Sequence, residues 1–243
     1  MPHREYIKIA QGADCAVLLV HGIVSTPRSF DPFLSAIPEG CAIYNICLDG
    51  HGAGVNEFSR TSMDRWKRQV DGRLAELCAR YERVVVIAHS LGTLLSIHAA
   101  PRYPQVKAML LLDVPLHVRV RLCMIPLALK AVFGKLDGND PREAAFRDSV
   151  GLALSRRLWL YLGWLPRFWE LLCLCRQTRE NVTQLKIPCT VLHSRKDELV
   201  SIRSARYFQD KPHMTHGVLE SSGHFYFPDE DAEQIRTCIK NLF

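Results

Sequence analysis

The sequence predicts an α/β fold: a mostly parallel sheet with helices on both faces, interrupted by one helical insertion. Three observations carry this. Short runs of β-branched and aliphatic residues alternate with helix-like segments. Several runs are continuously apolar rather than alternating, as strands covered on both faces should be. One stretch between two such runs is far too long for a simple connection and reads as helical.

In order, Tyr6 to Ala10 is expected as an antiparallel edge, and Ala16 to Val20 as the first inner strand. Thr26-Pro27 reads as an N-cap and first-turn proline opening a helix through Phe33. Ala42 to Leu48 is the next strand. An amphipathic helix over 62–80 follows the cap signals Thr61-Ser62. Val84 to Ala88 is a strand and Leu91 to Ala100 a helix. Val106 to Leu112 is a strand that leads into the insertion. Beyond it come the strand Cys189 to His193, a helix over Ser201 to Gln209, the strand Gly217 to Leu219 and a last helix over Asp229 to Leu242.

This divides the chain into a core domain, 1–113 with 183–243, and a cap, 114–182, lying over the C-terminal edge of the sheet, where open α/β sheets bind ligands. Within the cap, Asp140-Pro141-Arg142-Glu143 reads as an N-cap, a first-turn proline and a capping-box glutamate. Pro126 and Pro166 are expected to break or kink any longer helix.

With 243 residues, 48% of them hydrophobic and 23% charged, the chain can bury a core without disulfides or metals. The stretch MPHREYIKIA has no apolar region or cleavage site of a secretory signal. Nine cysteines, an odd number without CxxC spacing, read as buried reduced thiols and a cytoplasmic setting. Residues 84–101 lack Asp, Glu, Lys and Arg, but contain two His, two Ser, a Thr and a Gly, so they read as a buried strand and helix rather than a membrane span. A net charge of +6 without a recognised module argues against nucleic acid as a partner.

The chemistry starts at Ala88-His89-Ser90-Leu91-Gly92, between the run Val84 to Ile87 and the helix after it. A serine on a sharp strand-to-helix turn is held in strained backbone geometry with its hydroxyl clear of the sheet. Hydroxyl attack needs a base, and His224 in Ser222-Gly223-His224 follows the last strand. Asp197, just past the strand ending near His193, is the expected acid. Asp113 and Glu198 are rivals for that role. The order Ser, Asp, His is the one this turn motif accompanies. The oxyanion donors are expected to be the backbone N–H groups of Leu91 and Ile23, the latter in His21-Gly22-Ile23-Val24, with Val24 as the fallback. His98 and Ser96 fall in a buried helical pattern and read as packing residues.

On these residues the chain resembles the monoacylglycerol lipase and small carboxylesterase branch of the α/β-hydrolases. LLVHGIVSTP (18–27), LDGHG (48–52), AHSLG (88–92) and the later KDELV and SSGH match that branch. Ala88 stands where the pattern usually has glycine. The resemblance implies the fold, the cap and ester hydrolysis through an acyl-enzyme on Ser90, with no metal or cofactor. It leaves the acyl group open.

The cap holds eleven Lys or Arg against six Asp or Glu, and Trp159, Trp164 and Trp169. This suits a small core with solvated arginines, an apolar acyl tunnel, or contact with an anionic lipid surface. An apolar cap favours medium- or long-chain acyl esters as the small-molecule substrate. Acyl transfer or thioester cleavage by the same residues, and a non-catalytic ligand-binding homologue, are the alternatives. Oligomeric state is not legible.

Overall fold

Each apolar run becomes a strand of one seven-stranded sheet in a computed structural model that describes residues 4–243. The first three residues of the stretch MPHREYIKIA lie outside the described residues. The strands are β1 (Tyr6–Lys8), β2 (Cys15–Val20), β3 (Ala42–Ile46), β4 (Arg83–His89), β5 (Val106–Leu112), β6 (Cys189–Ser194) and β7 (Met214–Leu219). Their order is β1-β3-β2-β4-β5-β6-β7, with only β1 antiparallel to its neighbour. The continuous apolar runs are explained by two cores. Ala16, Leu18, Val20, Val84, Val86 and Ala88 face one, while Val17, Leu19, Val85 and Ile87 face the other. Alternate side chains of one strand thus point to opposite faces, and both faces are covered.

The α-helices are α1 (Val55–Arg60), α2 (Met63–Arg80), α3 (Leu91–Ala99), α4 (Met124–Phe133), α5 (Pro141–Ser149), α6 (Leu165–Asn181) and α7 (Asp229–Lys240). Thr26 caps as expected, its Oγ1 accepting from Arg28 N–H, but the helix it opens is a 3₁₀ helix, Pro27–Ala36, with Pro32 inside. The helix expected over Ser201 to Gln209 is likewise a 3₁₀ turn, Ile202–Tyr207. From β2 the chain moves outward to β3 and returns to β4 on β2's other side. The reversal opens a crevice at the C-terminal ends of β2 and β4, where Gly22 and Ser90 lie.

Between β5 and β6, residues 114–182 form α4, α5, the 3₁₀ helix Leu158–Trp164 and α6. As expected, no longer helix runs through Pro126 or Pro166. They occupy the first turns of α4 and α6, where a backbone N–H would have no intrahelical acceptor. Asp140 does cap α5, accepting from Arg142 N–H at 2.8 Å. Glu143 closes no capping box; its carboxylate accepts from Asp137 N–H and pairs with Lys130.

This segment is stitched to the rest through backbone bonds, Gly151 N–H to Val24 O (2.9 Å), Ala153 N–H to Ala53 O (2.9 Å) and Arg119 N–H to Leu199 O (2.7 Å). A Cβ on Gly151 would lie 2.0 Å from Ser25 O, so only glycine allows that approach.

Residues 84–101 divide into β4 and α3 with their flanks, and among the described residues no helix is long and apolar enough to cross a membrane. Among the described residues none of the nine cysteines forms a disulfide. Only Cys15, Cys41, Cys175 and Cys189 are buried, so the expectation of buried thiols is met in part. Burial pushes the thiols of Cys15, Cys175 and Cys189 up to about 12.

Candidate active site

Ser90 sits at φ 51°, ψ −122°, between the last residue of β4 and the first of α3. A serine is rarely found at positive φ, and the strain is held by what surrounds it. Ser90 N–H donates to Leu112 O (2.9 Å), and Thr93 Oγ1 donates to Ser90 O (2.6 Å). Close approach does the rest. A Cβ on Gly92 would lie 2.1 Å from Val20 O, and one on Gly22 would lie 3.0 Å from Ser90 Cβ. Ala88, in place of the usual glycine, is fully buried in the core.

His224 and Asp197 are brought together. His224 Nδ1 and Asp197 Oδ2 are 2.7 Å apart, both groups almost wholly buried. Asp197 Oδ1 accepts from Leu199 N–H (2.6 Å) and Val200 N–H (2.7 Å). A carboxylate with this many donors keeps its charge. Burial pushes its pKa up, but the His224 imidazole and the two amides outweigh burial and hold it below the ordinary value. For His224 burial acts downward, and the Asp197 carboxylate overrides it, raising the imidazole above its ordinary value. With Nδ1–H donated to Asp197, Nε2 is left with the lone pair.

The loop bearing His224 is fixed at both ends. Asp231, in the first turn of α7, accepts from Ser221 N–H and Ser222 Oγ. Glu198 accepts from the backbone N–H of His224 at 2.9 Å. Glu198 therefore holds the loop and not the ring.

Asp113 also stays off the ring. Its oxygens accept from Ser194 N–H (2.6 Å) and face Ser194 Oγ (3.0 Å). Burial, followed by the Asp197 charge, pushes its carboxyl up to about 8.

Ser90 is 5% exposed. Among the described residues no hydrogen bond joins its Oγ to His224. The two residues share a neighbour: the ring of His89 lies 4.7 Å, centroid to centroid, from that of His224. His89 Nε2 lies 3.8 Å from Asp113 Oδ2, and burial lowers the pKa of His89 to about 3, so it is a neutral ring. His89, Asp113 and His224 bring metal-ligand atoms within 4.8 Å of one another.

The loop after β2 is shaped by two histidines that the sequence reading left without a role. His21 Nε2 accepts from Leu48 N–H at 3.0 Å, and its Nδ1 faces Gly22 O at 2.8 Å. His51 Nδ1 faces Leu48 O (3.1 Å), and its Nε2 accepts Val24 N–H (3.0 Å). Burial lowers His51 to about 4, which keeps it neutral and able to accept. Val24, at φ 60°, has thereby given away its amide. Among the described residues the N–H groups of Ile23 and Leu91 have no protein acceptor. The signal was present in HG (21–22) and LDGHG (48–52), as two histidines flanking successive strands. His98 bridges α3 to α6, its Nε2 3.0 Å from Thr178 Oγ1, while Ser96 Oγ is buried without a partner.

Beyond Val24 an apolar cavity of about 390 Å³ lies between α4, α5 and the 3₁₀ helix 158–164, lined by Ile125, Leu129, Val132, Phe146, Leu158 and Trp164 among others. Its volume is in the range of small-molecule sites.

Residues 17–236 match the alpha/beta hydrolase family, and the chain belongs to that family. It is similar to a thermostable monoacylglycerol lipase from a Bacillus species, 24% identical over 204 residues, covering 79% of this chain and 74% of the relative. Among solved structures it resembles a metagenome-derived lipolytic enzyme (TM-score 0.72, 16% identity, 99% and 98% of the two chains). It also resembles the monoacylglycerol lipase of Paleococcus ferrophilus (TM-score 0.68, 18% identity, 98% of each chain).

Proposed function

We propose that this chain is a serine carboxylic-ester hydrolase acting on medium- or long-chain acyl esters through Ser90, His224 and Asp197. The observation that carries the proposal is the His224–Asp197 contact of 2.7 Å at the same sheet edge as a serine on a strained strand-to-helix turn. His224 Nε2 removes the Ser90 proton as Oγ attacks the ester carbonyl, with Asp197 stabilising the imidazolium. The amides of Ile23 and Leu91 receive the developing oxyanion. Collapse expels the alcohol, which takes the proton from His224 and leaves an acyl-serine. Water, deprotonated by His224, then releases the acid and frees Ser90. The serine–imidazole hydrogen bond closes when substrate is bound, as it commonly does in such enzymes.

Segment 114–182 acts as a cap on the core formed by 1–113 and 183–243, and its 390 Å³ apolar cavity takes the acyl chain. Val24 joins that cavity to the oxyanion loop, two residues after the Gly22 that abuts Ser90. Nine cysteines without a disulfide among the described residues favour a reducing, cytoplasmic setting.

The test is hydrolysis of p-nitrophenyl esters of increasing chain length beside monoacylglycerols. Activity is expected to peak at medium or long chains. Ser90→Ala is expected to lower kcat on the order of 10⁶-fold and to abolish fluorophosphonate labelling. Labelling that persists in folded Ser90→Ala protein would refute the mechanism. Turnover confined to acetyl and propionyl esters would refute the substrate class.

A further inference from the structure

Helix α4, MIPLALKAVF, is apolar on nearly all sides, yet Met124 is its only buried residue. A helix of this kind is normally enclosed. Leu122, just before it, is 82% exposed, and Ile125 56%. Across from it the 3₁₀ helix 158–164 exposes Trp159 (65%) and Leu162 (66%). Ile125, Leu129 and Leu158 are exposed and also line the 390 Å³ cavity, so the cavity mouth opens within this apolar face. An exposed apolar area around a pocket mouth marks a surface that something covers.

The charges say what. Arg119, Arg121, Arg156 and Arg157 flank the two elements in sequence, are exposed, and among the described residues pair with no carboxylate. Other cations of the same segment, Lys130 and Arg167, are paired with Glu143 and Glu170. A second copy of this chain would set arginines against arginines, in a molecule whose net charge is already +6. A bilayer with anionic headgroups meets both requirements, taking apolar side chains at the acyl boundary and arginines at the phosphates. Tryptophan is at home at that depth.

We propose that the face built by α4 and the 3₁₀ helix 158–164 docks on an anionic lipid surface, with the cavity mouth turned toward the acyl layer. Docking itself is independent of catalysis. That an acyl chain then passes from bilayer to cavity without crossing water rests on the ester-hydrolase reading.

The experiment uses the full chain carrying Ser90→Ala, so that no lipid is consumed, and cosedimentation with vesicles of phosphatidylcholine alone or mixed with phosphatidylserine. Binding is expected to the mixed vesicles, weakened by salt, with tryptophan emission quenched by brominated acyl chains. The quenching should fall in Trp159→Phe. Arg156→Gln with Arg157→Gln is expected to reduce partitioning on the order of 30-fold, while leaving hydrolysis of a soluble short-chain ester by the Ser90 protein unchanged. Equal weak binding to both vesicle types would overturn the proposal. So would a lipid-free dimer, seen by analytical ultracentrifugation, that shields Trp159. Because binding is measured without the nucleophile, its failure leaves the hydrolase reading intact, and loss of hydrolysis leaves docking intact.

Discussion

At the scale of single residues the site turns on which buried carboxyl is ionised. Asp197 and Asp113 are both buried and both lie at the C-terminal edge of the sheet. They differ in what meets their oxygens. Asp197 faces an imidazole and two backbone amides, which favour its charged form, whereas Asp113 is dominated by burial and the neighbouring Asp197 charge, which favour its neutral form. A neutral acid cannot stabilise an imidazolium. Asp197→Asn is therefore expected to lower kcat by about 10⁴-fold. Asp113→Asn, which also suits the positive φ of 51° there, should leave kcat within a few-fold. Steady-state kinetics on one soluble ester decides between them, and the opposite ranking would make Asp113 the acid. The same logic of committed side chains applies to His21 and His51, the latter kept neutral by burial. They act as hydrogen-bonded wedges under the loop 22–24 and direct the Val24 amide away from the crevice, leaving that of Ile23.

At the scale of elements, strand β4, the Ser90 turn and helix α3 work as one unit because α3 packs almost directly on the end of β2. Gly92→Ala would drive a methyl into Val20 O, 2.1 Å away, with rigid backbone on both sides. It is expected to destabilise the protein by about 3 kcal/mol or more. Gly72, exposed within α2 with nothing within 4 Å of an added Cβ, is the contrast: Gly72→Ala should stabilise by about 0.5–1 kcal/mol. Urea unfolding of the two variants measures both, and equal effects would show that close approach does not govern Gly92. These elements were legible in the sequence because their signals are local: β-branched runs, a cap followed by proline, a serine between small residues. Helix α1 was not legible, since six residues offer only Val55 and Phe58 as an apolar pair. The prolines at 126 and 166 marked helix limits without showing on which side the helix lies, because proline both breaks a helix interior and suits a first turn. Only the position of the helix start distinguishes them. The candidate site residues could be placed through topology, which fixes their chain order. The hydrogen bonds of His51 and Glu198 were not, because they depend on contacts between loops remote in sequence.

At the scale of the whole molecule, burial of histidine sets how stability responds to pH. Burial lowers His51 and His193 to about 4 and His89 to about 3, each from an ordinary value of 6.5. Between those limits the unfolded chain binds protons that the folded chain refuses, so stability is full above about 6.5 and is lost as pH falls toward 4. The slope approaches about 1.4 kcal/mol per pH unit for each histidine. His224 acts in the opposite sense. Its raised pKa adds stability below 6.5 that disappears as pH rises through the folded value. Asp113 opposes the three histidines: the folded chain holds its proton up to about 8 while the unfolded chain releases it near 3.8, so its contribution is lost as pH rises from 3.8 to about 8 and is level beyond. Stability should therefore peak near 6.5, falling on the acid side, where three histidines outweigh Asp113, and on the alkaline side up to about 8. In the proposed mechanism activity follows another curve, since His224 would serve as base only when neutral and kcat/KM would rise with pH through a value above 6.5. Urea unfolding from pH 5 to 9 beside a kcat/KM profile on a soluble ester separates the two. Asp113→Asn is expected to lessen the decline between 6.5 and 8, to steepen the acid side, and to leave the kcat/KM profile rising as before. Stability that stays level from pH 7 to pH 5 would show that the three buried imidazoles take up protons in the folded state, and would undo the account of His51 as a neutral acceptor beneath the oxyanion loop.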